Sequence, residues 1–197
     1  PKDEAELRDM MFTAIHHTEG PIAYRYPRGA GVGADISQPP KLIEIGTAEV
    51  VHRPDARSDV LLIGYGSTVG HCLEAAATLA REHGISVTVV NARFVKPLDE
   101  SLLGKLIGAH RVIYTVEDHA VQGGFGSAVL EFMSDAGLTS GRRLLRLGIQ
   151  DHFIEHGTQT ELYARCGFDV AGIVASVREH SGLTISDATS HPVAASA

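Results

Sequence analysis

The stretch "DVLLIGYGSTVGHCLEAAATLAREHGISVTVVNARF" covers residues 59–94 and decides the fold. Its opening run, "DVLLIGYG" (59–66), is apolar without alternation, the pattern of a strand buried on both faces. Helical spacing then takes over. Val69, Cys72, Leu73, Ala76 and Ala80 share one face across residues 67–83, with Ser67 placed as N-cap and Gly84 as C-cap. "SVTVVNARF" (86–94) returns to strand character. A strand, a helix and a strand in this order form a crossover unit, which joins parallel strands. Moving outward, the same alternation continues: a helix over 99–110, "RVIYTVED" (111–118) as strand, "GGFG" (123–126) leading into a helix over 127–135, and "RRLLRLGI" (142–149) as the last strand. Two short helices, 158–166 and 169–180, follow, and "TAEVVHR" (47–53) precedes the run as a further strand. The prediction is an α/β fold, a mostly parallel sheet with helices on both faces.

The N-terminal side reads differently. Asp3, Glu4 and Glu6 stand in what would be the first turn of a helix over 3–18, where carboxylates complement the amide dipoles, and Leu7, Met10, Met11, Ala14 and Ile15 form its apolar face. "PIAYRYPRG" (21–29) predicts a short strand ending in a Pro/Gly turn, and "GAGVGADISQPP" (29–40) has the composition of a connector. A boundary is therefore expected near residue 40, with a second body over 41–183 and a disordered tail over 184–197.

Composition narrows the function classes. Lys and Arg number 17 against 24 Asp and Glu in 197 residues, a net charge of −7, and no basic run stands against that balance. A duplex nucleic-acid binder needs a basic footprint that this chain lacks. Its apolar runs are strand-sized, far short of the roughly 18 residues of a membrane span, and the charged start directs no export. Cys72 and Cys166 are widely separated, which predicts free thiols and a reducing, cytoplasmic setting.

Several motifs have two readings. "GYGSTVG" (64–70) invites a dinucleotide interpretation, but its spacing is Gly-x-Gly-x-x-x-Gly and the next strand ends at Asn91 and Arg93 rather than at a ribose-binding acid, so a tight strand-to-helix turn is expected. "GGFGS" (123–127) reads as glycines permitting close packing before a helix, with an anion site as the lesser alternative. "HFIEH" (152–156) matches a metallopeptidase pattern that requires a helix, and Gly148, Asp151 and Gly157 leave room for little more than one turn. His16, His17 and His119 are expected at the surface or at caps. Glu117 and Asp118 are adjacent on a strand and so point to opposite sides; one is expected to cap the turn and neither to be catalytic.

Taken together, "YRYPRGAGVG", "VLLIGYGSTV", "NARFVKPLDESLL", "TVEDHAVQGGFGSAVLE" and "IQDHFIEHGTQTEL" resemble, in unbroken order over about 3–179, the C-terminal part of the 1-deoxy-D-xylulose-5-phosphate synthase family. These are transketolase-like enzymes that use thiamine diphosphate. The resemblance implies that residues 1–40 are the end of the pyrimidine-binding domain plus linker, the tail of a second α/β domain, and that 41–183 is the transketolase-type C-terminal domain. It implies an activity that condenses pyruvate with glyceraldehyde 3-phosphate, releasing carbon dioxide, as the first step of non-mevalonate isoprenoid synthesis and a source for thiamine synthesis. Thiamine diphosphate and Mg2+ would be held mainly by upstream residues, so no catalytic, cofactor or metal residue is assigned here, and the chain alone should be inactive. Homodimeric assembly and partnership with the upstream domains are implied too.

One residue is carried over. Arg25 and Arg28 are three apart, so on an extended segment they face opposite sides and one of them can face a pocket. A guanidinium fork matches a phosphate monoester. In the family that this sequence resembles, the second arginine of "RYPRG" contacts the acceptor phosphate, and it maps onto Arg28. The alternative role for that side chain is an interdomain salt bridge. Alternatives for the whole chain are the C-terminal region of a transketolase or of a 2-oxoacid dehydrogenase subunit, or a non-catalytic nucleotide-binding module on 41–183.

Overall fold

The computed structural model describes residues 1–55 and 57–180. The elements run α1 (Glu4–His16), β1 (Glu49–His52), β2 (Val60–Tyr65), α2 (Thr68–His83), β3 (Val87–Asn91), α3 (Glu100–Ala109), β4 (Val112–Ala120), α4 (Phe125–Asp135), β5 (Arg143–Ile149), α5 (Gln159–Cys166) and α6 (Val170–His180). The sheet order is β1-β3-β2-β4-β5, with β1 antiparallel to β3 and the other pairs parallel. This is the mostly parallel α/β architecture that the 59–94 stretch predicts. The expected tail over 184–197 lies outside the described residues.

Alternation along the central strands assigns each helix to a face. Val60 and Leu62 of β2, with Val87, Val89, Val112, Tyr114 and Val116, pack beneath α2 and α6, against Cys72, Leu79, Ile173 and Val177. Leu61, Ile63, Val90 and Ile113 point the other way, to Leu103 and Ile107 of α3 and to Phe125, Val129 and Met133 of α4. Since both faces are covered, β2 and β3 are buried along nearly their whole length, which explains their unbroken apolar runs. Gly84 closes α2 at φ 65°, a left-handed position that glycine adopts without a Cβ clash.

Thr115 shares a face with Ile113, and its Oγ1 is buried with no hydrogen-bond partner among the described residues. Such a hydroxyl has lost water without compensation. Thr115→Val is therefore expected to stabilise the chain by about 1 kcal/mol. In a thermal melt that corresponds to a rise of roughly 2–4 °C; a fall would show that the hydroxyl has a partner.

Three local expectations are corrected. Ser67 occupies the N-cap position but is already helical and makes no side-chain cap; Thr68 Oγ1 instead donates to Val116 O at 2.7 Å and accepts from Tyr65 N at 3.2 Å. Helix α4 begins at Phe125 rather than 127. Residues 21–29 are not paired as a strand, because no neighbouring strand among the described residues lies along them.

The connector over 29–40 is fastened along its length. Helix α1 holds it at successive turns: Glu4 accepts from Gly33 N at 2.7 Å, Arg8 donates to Ile36 O at 2.9 Å and to Gln38 O, Asp9 accepts from Lys41 N at 3.2 Å, and Thr13 Oγ1 accepts from Ile43 N at 2.9 Å. The arm over residues 17–32 is thus fastened at both ends by one helix.

Candidate functional site

Strands β3 and β4 lie on either side of β2, and the connections β2–α2–β3 and β3–α3–β4 run over opposite faces of the sheet, which opens a crevice at the carboxyl ends of the strands. Open α/β sheets bind ligands at such a crevice. Here the three strand ends deliver Tyr65, Gly66 and Ser67, then Arg93 to Pro97, then Asp118, to one wall of a cavity of about 580 Å³. Its other wall is the arm, from Pro21 to Pro27, together with Met10 and Thr13 of α1.

The cavity is aromatic and cationic. Tyr24, Tyr26 and Tyr65 face it with Arg25, Arg93 and Lys96. Burial pushes the Tyr65 hydroxyl above its usual range, and the Arg25 charge opposes that shift. Asp118 closes one corner, accepting from Tyr163 Oη at 2.9 Å, which in turn accepts from Gln159 Nε2 at 2.6 Å. Burial first, and Asp118 second, raises the Tyr163 phenol, so this hydroxyl stays protonated and donates.

Arg93 stands at the base. It is a non-glycine residue at φ 56°, in the left-handed region. Its Nε donates to Glu6 Oε1 at 2.8 Å and its Nη2 to Glu49 Oε2 at 2.6 Å. The same Glu6 oxygen accepts from Asn91 Nδ2 at 2.7 Å, and the other accepts from Lys2 N at 2.6 Å. Glu6 and Asn91 are buried, so their contact joins α1 to the end of β3 out of solvent, while Glu49 at the other end of the network is partly exposed. Nothing local in the sequence marks it, because Glu6 and Arg93 are 87 residues apart.

Both arginines of "RYPRG" are exposed; Arg25 lines the cavity and Arg28 lies outside that lining.

The "GGFGS" motif resolves through one carboxylate. Glu117 has no exposed surface, and its two oxygens accept from Phe125 N at 2.6 Å and Gly126 N at 2.8 Å, the first amides of α4. The place an anion would take at this N-terminus is filled from within. Gly124 lies so near Ala120 O and Glu117 Oε2 that a Cβ would collide with both. Asp118 reaches Tyr163 on the opposite side, so the neighbouring carboxylates do separate by face. "HFIEH" is irregular, with Phe153 fully exposed, and does not form the helix a zinc pair needs. No described group of three or more His, Cys, Asp or Glu could hold a metal. Both thiols are unpaired, and burial pushes the Cys72 thiol far up. No helix among the described residues is long and apolar enough to cross a membrane.

The family model described as "Transketolase, C-terminal domain" matches residues 46–173. A relative named 1-deoxy-D-xylulose-5-phosphate synthase 1, from Geobacter sulfurreducens, is 53% identical over 176 residues, covering 89% of this chain and 27% of its own length. A 1-deoxy-D-xylulose-5-phosphate synthase of a Synechococcus strain is 49% identical over 90% of this chain and 27% of its own length. The chain therefore spans about a quarter of these curated relatives. Among solved structures, a split gene transketolase, described as an inactive beta4 tetramer, superposes with a TM-score of 0.73 at 29% identity, covering 91% of this chain and 55% of that one.

Proposed function

Since the chain belongs to the transketolase C-terminal domain family, we propose that it is the C-terminal part of a 1-deoxy-D-xylulose-5-phosphate synthase, condensing pyruvate with glyceraldehyde 3-phosphate and releasing carbon dioxide. The observation that carries this reading is identity of 53% over nearly the whole chain to a synthase of that name. A transketolase, a 2-oxoacid dehydrogenase subunit and a nucleotide module are less well supported, because the relatives at 53% and 49% identity carry the synthase name.

The family uses thiamine diphosphate with Mg2+. The described residues do not fit that group: they bring together no acidic or histidine cluster for a metal, and the amides of α4 are engaged. Its binding is assigned to the part of the relatives' length that this chain does not span, as are catalysis and the body of a homodimer in a cytoplasmic setting. What this chain contributes is a supporting domain over 41–183 and the end of the pyrimidine-binding domain over 1–40, whose arm presents arginine.

Arg28 is the phosphate ligand in this reading. It is exposed and follows Pro27, which fixes the local backbone, so its fork is available to a site completed by the remainder of the enzyme. Remote binding of the acceptor phosphate would align the aldehyde without touching the reacting carbon. In the complete enzyme, Arg28→Ala should weaken acceptor binding by about 1.5–3 kcal/mol, the scale of a hydrogen bond to a charged group. Saturation curves for glyceraldehyde 3-phosphate in Arg28→Ala and Arg25→Ala test the assignment. The KM should rise in the first and stay near wild type in the second. The reverse pattern would move the phosphate into the cavity beside Arg25.

A further inference from the structure

We propose that Glu6 and Arg93 form a positioning joint for the phosphate-binding arm, setting where Arg28 stands relative to the sheet although neither residue touches the acceptor. The inference rests on the phosphate role proposed for Arg28. Three observations support it.

The first is cost. Arg93 holds a left-handed backbone, a conformation that a side chain with a Cβ adopts only where its surroundings over-determine it. The surroundings do so: Arg93 N donates to Asn91 Oδ1 at 3.2 Å, and the guanidinium is held at Nε by Glu6 and at Nη2 by Glu49. A residue needed only for packing would not require that turn. The left-handed turn is what lets Arg93 reach back to α1 while Phe94, Val95 and Lys96 continue along the cavity wall facing the arm.

The second is burial and geometry. Glu6 is 5% exposed and accepts three hydrogen bonds, from Arg93, Asn91 and Lys2 N. A buried carboxylate held by a buried amide and by one arm of a guanidinium whose other arm is fixed on Glu49 admits one arrangement, and removing a partner leaves a buried group without compensation. The third is connectivity. Helix α1, fixed to β3 by this joint, also holds the connector through Glu4, Arg8, Asp9 and Thr13. Both ends of the arm therefore inherit the orientation that Glu6 and Arg93 impose on α1. Within the arm itself no backbone hydrogen bond to the sheet is seen among the described residues, so the joint is what transmits position.

The test uses the complete enzyme with Glu6→Gln, which keeps shape and removes charge, and Arg93→Lys, which keeps charge and removes the two-armed fork. Glyceraldehyde 3-phosphate, unphosphorylated glyceraldehyde and pyruvate are each titrated, with thermal melts as a folding control. The expected result is a rise of about tenfold in KM for the phosphorylated acceptor, the equivalent of one lost charged hydrogen bond, with pyruvate and the unphosphorylated aldehyde unchanged. Glu6→Gln placed on Arg28→Ala should add nothing further, because the two act through one contact. Equal losses with both aldehydes, or an additive double variant, would overturn the joint and leave a structural salt bridge. If Glu6→Gln fails to accumulate, Arg93→Lys decides by the same readouts. The Arg28 assignment fails separately, through an unaffected Arg28→Ala single variant.

Discussion

Glu117→Ala should lower the stability of the chain by about 3 kcal/mol, because the Phe125 and Gly126 amides would be left buried without an acceptor, each at a cost of about 1–3 kcal/mol. Relief of the buried charge offsets part of that sum. For a chain of this size the melting temperature falls by roughly 6–12 °C. The pH dependence carries a second signature. Burial pushes the Glu117 carboxyl above its usual range, and the hydrogen bonds from Gly126 and Phe125 pull it back only in part. In the folded chain this group therefore holds its proton to a higher pH than in the unfolded chain. Its contribution to stability is full below the ordinary carboxylate range, declines as pH rises to the raised value, and is level beyond it. Glu117→Gln should remove that decline, leaving an amide that accepts from one of the two N–H groups and opposes the other. Melts across acidic pH compare the slopes; identical slopes in wild type and Glu117→Gln would sink the account.

Why this lock was only half legible in the sequence is a matter of range. Period and composition showed that residues 59–94 form a strand, a helix and a strand, since apolar spacing within one element reports which faces that element buries. They could also place Glu117 and Asp118 on opposite sides and expect one to cap a turn. What they could not show is that a carboxylate on β4 supplies the acceptors for the first two amides of α4, so the helix starts at Phe125 instead of 127. The same holds for Ser67, a strong local cap candidate displaced by Thr68, whose hydroxyl finds Val116 O on a neighbouring strand. The arm shows the converse. "PIAYRYPRG" has strand character, but a strand exists only where another lies beside it, and the described residues provide none. Arg28 is marked by its motif; Glu6 reads only as a first-turn acid and Asn91 and Arg93 only as a strand end, because contacts that distant in sequence have no periodicity to reveal them.

Phe168→Ala tests how far the α5–α6 corner holds the site together. Phe168 is 1% exposed and belongs to the core beneath α2 and α6, and its ring lies 4.9 Å from that of Tyr163. Its carbonyl is hydrogen-bonded to His71 Nδ1 at 3.1 Å, so side chain and backbone together tie α2 to the turn between α5 and α6. Truncation removes a full ring and leaves a void that the parallel sheet beneath cannot fill, at a cost of about 3–5 kcal/mol. The corresponding fall in melting temperature is roughly 6–20 °C. Phe153→Ser provides the contrast: that ring is fully exposed, and its loss should change stability by no more than about 0.5 kcal/mol. The consequence for the cavity follows from Tyr163, which loses one wall of its packing and with it the fixed approach to Asp118. Hydrogen exchange at residues 159–166 should therefore quicken in Phe168→Ala, while α3, packed on the other face of the sheet, keeps its protection. Uniform loss of protection on both faces would instead mean that the two cores unfold as one unit and that the corner has no stability of its own.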